Sequence, residues 1–324
     1  MNLGALFESS SRGTFLDADR VAVDAVPNGA VAVLGITGAT PYKSVGPYCA
    51  AAPQAIRAAS ASYAANRTHY DFDLGAPLIS DGRTLVDCGN LPFDADDFAL
   101  NRRNISNAVA TLLERGAAPL VLGGDDSVQV PVLERFAARG EITILQIDAH
   151  IDWRDEVQGE RLGLSSTMRR ASEMPGVKAI VQVGARGIGS ARASDVADAK
   201  AWGVKLIDMR TVRAQGIAAV AEAVPLRRPV VVCLDVDGLD PSVVPGVIGT
   251  SPGGLSYGDI VDLLHGVTQR APIVGFNIVE FVPERDTNGL GCTTVSRLAK
   301  LAAGFLFAGM AGRECAATKP SSAS

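Results

Sequence analysis

Histidine is scarce in this chain. Only His69, His150 and His265 occur in 324 residues, which excludes a His-rich metal site. Cysteine is equally thin. Cys49, Cys88, Cys233, Cys292 and Cys315 are odd in number, scattered, and form no CxxC pair. That argues against a disulfide framework or a thiolate zinc site. The simplest account is a reduced, cytoplasmic chain with its thiols packed as small hydrophobes. No apolar run reaches the roughly 18 residues of a membrane-spanning helix, so no membrane partner is expected. Residues 1–20 carry polar and charged residues throughout, lack a long apolar core, and do not read as a secretory leader. Positive charge is not in surplus either. The formal net charge is −5, which speaks against a nucleic-acid partner.

What is present is an ordinary globular composition, 47% hydrophobic and 20% charged. Short β-rich apolar runs recur along the chain: Val31–Ile36, Pro119–Leu122, Ile142–Ile147, Ala179–Val183, Lys205–Ile207, Val230–Leu234 and Ile273–Ile278, with a further short one around Val86. Helical spacing predicts helices between them over Pro53–Ala65, Asp97–Arg115, Ser127–Arg139, Ser190–Trp202, Thr211–Val224, Ser256–Arg270 and Thr293–Ala308. Strands that alternate with helices and are apolar on both faces predict a parallel sheet covered on both sides. No linker composition divides the chain. A single domain is expected over 1–312, with a disordered tail over 313–324.

The acids carry the chemical signal. Pro119–Leu122 runs into Gly123-Gly124-Asp125-Asp126-Ser127. Ile142–Ile147 runs into Asp148-Ala149-His150-Ile151-Asp152. Val230–Leu234 runs into Asp235-Val236-Asp237-Gly238-Leu239-Asp240-Pro241, and Ile273–Ile278 ends near Glu280. In a parallel sheet those ends share one edge, where ligand sites form. Asp148, His150 and Asp152 are two apart, as are Asp235 and Asp237, so extended backbone points each set one way. So many carboxylates around one imidazole repel strongly unless cations lie among them. An oxygen-rich donor set with one imidazole suits Mn²⁺, with Ni²⁺, Co²⁺ and Fe²⁺ as alternatives, better than Cu(I) or structural Zn²⁺.

Each segment also has a plainer reading. Asp126 or Ser127 could cap the following helix. Asp237 to Pro241 could be only a turn. Glu280 could pair with Arg285 at the surface. Trp153 could line a pocket mouth with Arg154 and Asp155, or simply pack. The weight lies in the coincidence of four acidic clusters at one topological position.

From about Val31 to Gly304 the chain resembles the ureohydrolase (arginase/agmatinase) family, its agmatinase branch in particular. The segments Gly123–Ser127, Asp148–Asp152, Asp235–Pro241 and Glu280 stand in the family's order, and Ala55–Arg57 matches its N-terminal region. The resemblance implies a three-layer α/β/α arginase-type fold around a mainly parallel, eight-stranded sheet. It also implies a homo-oligomer, a trimer or hexamer. One divalent ion would be held by Asp126, Asp148, Asp152 and Asp235, and a second by Asp148, His150, Asp235 and Asp237. A hydroxide between the ions would attack a guanidine-type carbon. Glu280 would accept hydrogen bonds from the guanidinium, and Asp152 and Ser165 would be catalytic with it. The expected substrate is a small cationic guanidine: agmatine, a substituted guanidine, a guanidino acid or a biguanide such as metformin.

Two positions depart from the family pattern. Asp126 stands where a metal-binding His is usual, which adds about one negative charge to the ligand set. The later His that serves as proton shuttle is missing from Gly163–Arg170, and Ser165 takes its slot. These departures motivate a second reading, a non-catalytic subunit assembling with an active homologue. A third, a one-zinc amidohydrolase of the deacetylase type, fits the paired acids less well.

Overall fold

The computed structural model describes residues 13–80 and 82–317. In chain order the strands are β1 (Asp19–Arg20), β2 (Val31–Gly35), β3 (Tyr70–Asp71), β4 (Ala76–Pro77), β5 (Leu85–Asn90), β6 (Ala118–Leu122), β7 (Ile142–Ile147), β8 (Val177–Val183), β9 (Lys205–Ile207), β10 (Val230–Asp235) and β11 (Ile273–Val279). The strands β3 and β4 form a small antiparallel hairpin. The other nine form one sheet in the order β1-β5-β2-β6-β11-β10-β7-β8-β9, and every neighbouring pair is parallel. These are the eight expected strands plus a two-residue edge strand, β1. Two residues leave no periodicity to read.

The helices are α1 (Ala52–Ser60), α2 (Phe98–Glu114), α3 (Gln129–Arg139), α4 (Thr167–Ser172), α5 (Ala193–Trp202), α6 (Met209–Gln215), α7 (Ala218–Ala223), α8 (Tyr257–Thr268) and α9 (Leu290–Ala317). Alternate residues of each central strand feed opposite cores. Val31, Val33, Leu145, Ile147, Val230 and Val232 join one cluster with residues of α1, α8 and α9. Ala32, Leu34, Ile144, Val231 and Cys233 join the other with residues of α2, α3 and α4. This is the expected three-layer α/β/α arrangement, and it explains why both faces of the strands are apolar.

Several element boundaries differ from expectation. The stretch Thr211–Val224 is two helices, because Gly216 takes φ 81 and closes α6. The first predicted helix tightens into a 3-10 turn over Ala61–Asn66. Helix α9 runs past Ala308 to Ala317, so the start of the expected tail is helical, and residues 318–324 lie outside the described residues. Gly309 does not break α9. A Cβ there would lie 2.1 Å from the Ile273 carbonyl oxygen, so glycine is what lets the helix lie against β11.

Strand order positions the site. β6, β11, β10 and β7 are consecutive in the sheet. Their partners Leu122↔Ile278, Asp235↔Val279 and Leu234↔Ile147 end the strands at one level. The four acidic segments therefore leave adjacent strands on the same carboxyl edge.

Candidate metal centre

The β6 tip turns sharply. A Cβ on Gly124 would lie 1.8 Å from the Thr37 carbonyl oxygen, so only glycine allows this approach to the segment after β2. The carbonyl of Gly124 accepts the Glu280 N–H at 2.8 Å, tying the β6 and β11 tips together. A 3-10 turn over Asp126–Val128, which leads into α3, is capped by Asp125, whose Oδ1 accepts the Ser127 N–H at 3.1 Å. The cap is thus neither Asp126 nor Ser127, and Asp126 is left facing the site.

The edge encloses a cavity of about 210 Å³ lined by Asp126, His150, Asp152, Leu164, Ser165, Ser190, Asp235, Asp237, Ile248, Gly249 and Glu280. Two triads have donor atoms within 4.8 Å of one another: Asp148, His150 and Asp237, and Asp126, Asp148 and Asp152. Asp148 belongs to both. Asp235 belongs to neither; it lines the cavity while its Oδ1 accepts the Asp237 N–H at 2.8 Å. His150 Nδ1 lies 3.3 Å from Asp148 Oδ1 and 3.2 Å from Asp237 Oδ2. The expected site residues Asp126, His150, Asp152, Ser165, Asp235, Asp237 and Glu280 line one cavity, and Asp148 joins them through both triads.

Electrostatics follow from burial. Burial and then the Asp237 charge raise the Asp148 carboxyl to about 7. Burial, reinforced by neighbouring acids, pushes Asp126, Asp152 and Asp235 well above the usual carboxylate range. Hydrogen bonds to Asp148 and Asp237 raise His150 to about 12. Burial acts upward on Asp237 as well, but the hydrogen bond and charge of His150, together with bonds from the Ala149 N–H and Asp235, outweigh it and lower that carboxyl. Without cations the cluster must hold protons. Asp126 Oδ2 is buried with no hydrogen-bond partner among the described residues. A divalent ion fits this donor set, since carboxylates and one imidazole face inward and an orphaned oxygen lacks a positive neighbour.

Glu280 is 5% exposed, which removes the surface pair with Arg285. Its carboxylate accepts Tyr48 Oη at 2.6 and 2.7 Å and the Asp126 N–H at 2.7 Å. Burial drives its carboxyl well upward. Glu280 and Asp152 both adopt left-handed backbone, with φ 69 and 45. Strain of that kind persists only where surroundings over-determine it.

The neighbouring readings are settled individually. Trp153 is 2% exposed and packs edge-on against Trp202 at 6.3 Å, so it is core and does not line a mouth. Arg154 lies 3.6 Å from Asp195 and donates to the Ser190 carbonyl at 3.0 Å; it does not pair with Asp155 or Glu156. The turn reading holds for Asp240, which accepts the Ser242 N–H at 3.0 Å and the Gly253 N–H at 2.6 Å. Ser165 lines the cavity, and its N–H donates to Tyr42 Oη at 3.3 Å. His265 bonds the Asp73 carbonyl at 2.7 Å, and His69 lines a separate pocket with Arg67 and Lys300.

Several polar neighbours have no counterpart in the motifs. Gln129 Nε2 donates to Asp126 Oδ1. Gln146 Nε2 donates to Asp148 Oδ2 at 2.8 Å and to Asp152 Oδ2 at 2.6 Å. Arg186 gathers the carbonyls of Asp237, Leu239 and Ser251 through Nη2 at 2.7, 3.0 and 2.7 Å.

Sheet order and site together define an α/β protein of the arginase type. The arginase family model matches residues 30–308. Arginase 1, mitochondrial, of Arabidopsis thaliana is 33% identical over 236 residues, which is 68% of this chain and 66% of that protein. The chain thus spans about two thirds of that plant arginase. The agmatinase of Pyrococcus horikoshii is 29% identical over 283 residues, 87% of this chain and 92% of that one. The structure of proclavaminate amidino hydrolase from Streptomyces clavuligerus superposes with TM-score 0.78 at 25% identity, covering 93% and 99% of the two chains. The chain belongs to the arginase family, the ureohydrolases, which hydrolyse C–N bonds of amidino groups.

Proposed function

We propose that this chain hydrolyses a C–N bond of a small cationic guanidino compound at a centre for two divalent ions. Asp126, Asp148, Asp152 and Asp235 would hold one ion, and Asp148, His150, Asp235 and Asp237 the other. The observation that carries this reading is the convergence of buried, mutually repelling carboxylates from four adjacent strand tips, one oxygen of Asp126 being unpartnered. Mn²⁺ is the expected ion, with Ni²⁺ as the alternative. When bound, the ions would supply Lewis acidity and lower the pKa of a reacting water.

The protein's own groups do the rest. Glu280, oriented by Tyr48 and the Asp126 N–H, presents to a guanidinium a buried carboxylate with no cationic partner among the described residues. Asp152 takes the proton released as water oxygen bonds to the amidino carbon. Ser165, which lines the same cavity, relays that proton to the nitrogen as the C–N bond breaks. Agmatine leads the substrate classes, followed by substituted guanidines, guanidino acids and biguanides. The deciding experiment screens these compounds for urea, amine and ammonia release with Mn²⁺ and with Ni²⁺. Metal-dependent release from one class is the expected result. No release from any compound by a fully loaded preparation overturns the proposal.

The auxiliary-subunit reading rests on a specific observation: His150 is the sole imidazole lining the cavity. Activity only after mixing with a homologous chain would favour it. A homo-oligomer, trimer or hexamer, is the assembly to expect if the chain acts alone.

A further inference from the structure

Beneath the carboxylates lies a buried carboxamide pair that the proposed chemistry does not use. Gln146 is on β7, two residues before Asp148, so the two side chains share a face. It is fully enclosed, as is Gln182 on β8, at 0% and 1% exposure. Both N–H donors of Gln146 are spent on acids, one on Asp148 and one on Asp152. Its oxygen accepts a hydrogen bond from Gln182 Nε2, whose other N–H donates to the Ile151 carbonyl at 2.8 Å. This fixes the amide's orientation. Turned over, Gln146 would set its oxygen against two carboxylates and Gln182 would lose an acceptor. The chain of bonds runs from the Ile151 carbonyl through Gln182 and Gln146 to both acids. It thereby spans the loop that holds Asp152 in its left-handed conformation.

We infer that Gln146, held in place by Gln182, is the positioning residue that fixes which oxygens of Asp148 and Asp152 remain free to bind cations. The inference rests on the two-ion reading above. A neutral double donor suits this place. It ties Oδ2 of each acid, leaving Oδ1 of Asp152 and Oδ1 of Asp148, the latter also accepting the His150 N–H at 2.5 Å, and it adds no charge to a cluster already rich in negative charge, whereas Lys or Arg there would compete with the ions.

The test measures Mn²⁺ affinity and stoichiometry by calorimetry on the wild type, Gln146→Met and Gln182→Met, with apo-protein melting as the control for folding. Gln146→Met removes both donors at similar volume. Its Mn²⁺ affinity should fall about 10- to 100-fold, the usual effect of losing a group that orients metal ligands. Gln182→Met keeps the donors but frees their orientation, and should lose less. A cooperative apo melt with weakened Mn²⁺ binding supports the assignment. Unchanged affinity in Gln146→Met overturns it and assigns the pair to packing alone. If Gln146→Met does not fold, Gln182→Met decides on the same criterion. Failure of the wild type to bind Mn²⁺ at all would instead remove the two-ion reading, a separate result.

Discussion

Asp126 is where charge at the site can be altered most directly. Its carboxylate replaces a neutral imidazole expected from the family pattern, leaving more negative charge around the reacting water. Asp126→His should shift the acid limb of the pH–rate profile to lower pH. Superimposable profiles for the two proteins would sink that argument. A second residue-scale expectation concerns protons. The Asp148 carboxyl is raised to about 7, so the folded chain keeps a proton that the unfolded chain releases near the ordinary carboxylate value. That term favours folding at low pH and is lost as pH rises toward 7. His150, raised to about 12, acts in the same direction. Its contribution is complete below the ordinary histidine value and fades as pH climbs toward 12. The melting temperature of the metal-free protein should therefore fall from about pH 5 to about pH 9. Metal ligation requires the deprotonated forms, so added Mn²⁺ should stabilise more at the alkaline end. Parallel melting curves with and without Mn²⁺ would count against it.

At the scale of elements, the Ala55–Arg57 stretch acquires a physical role. Arg57, on α1, is 2% exposed and holds the fully buried Asp87 of β5 through Nε at 2.7 Å and Nη2 at 3.0 Å. Asp87 also accepts the N–H groups of Phe15 and Gly89, both at 2.8 Å. Arg57→Met would leave that carboxylate buried without its cation, at a cost of about 3–5 kcal/mol. Urea unfolding monitored by circular dichroism reads the loss. A midpoint unchanged from wild type would show the pair to be dispensable.

Elements also explain which parts of the site could be read in advance. The acids were legible because each follows an apolar run, and because spacing by two places Asp148 with Asp152 and Asp235 with Asp237. Gln129, Gln146 and Tyr48 were not. A neutral amide or phenol in an apolar stretch has the same signature as packing, and the partner of Tyr48, Glu280, lies far along the chain. One signal was available for Gln146, a polar residue within Ile142–Ile147 at even spacing from Asp148. Helix limits failed where glycine was ambiguous. Gly216 ends a helix through its dihedral angles, whereas Gly309 lets one continue against a strand, and only the fold separates the two.

For the whole molecule, cations should act as a keystone for folding as well as for chemistry. An ion at about 100 times its dissociation constant adds about 2.7 kcal/mol through mass action. Dialysis against a chelator should lower the melting temperature and abolish activity together, and Mn²⁺ should restore both. Loss of activity with no change in melting would separate the ions from the fold. The parallel sheet has one more practical meaning. Every chemically committed side chain sits on the carboxyl edge, while the loops entering β6, β7, β10 and β11 lie on the other. Leu226, 64% exposed just before β10, is on that far side. A dye or resin linker attached there would leave the cavity open, so the protein could be immobilised on a column and still be supplied with its small molecules in flow.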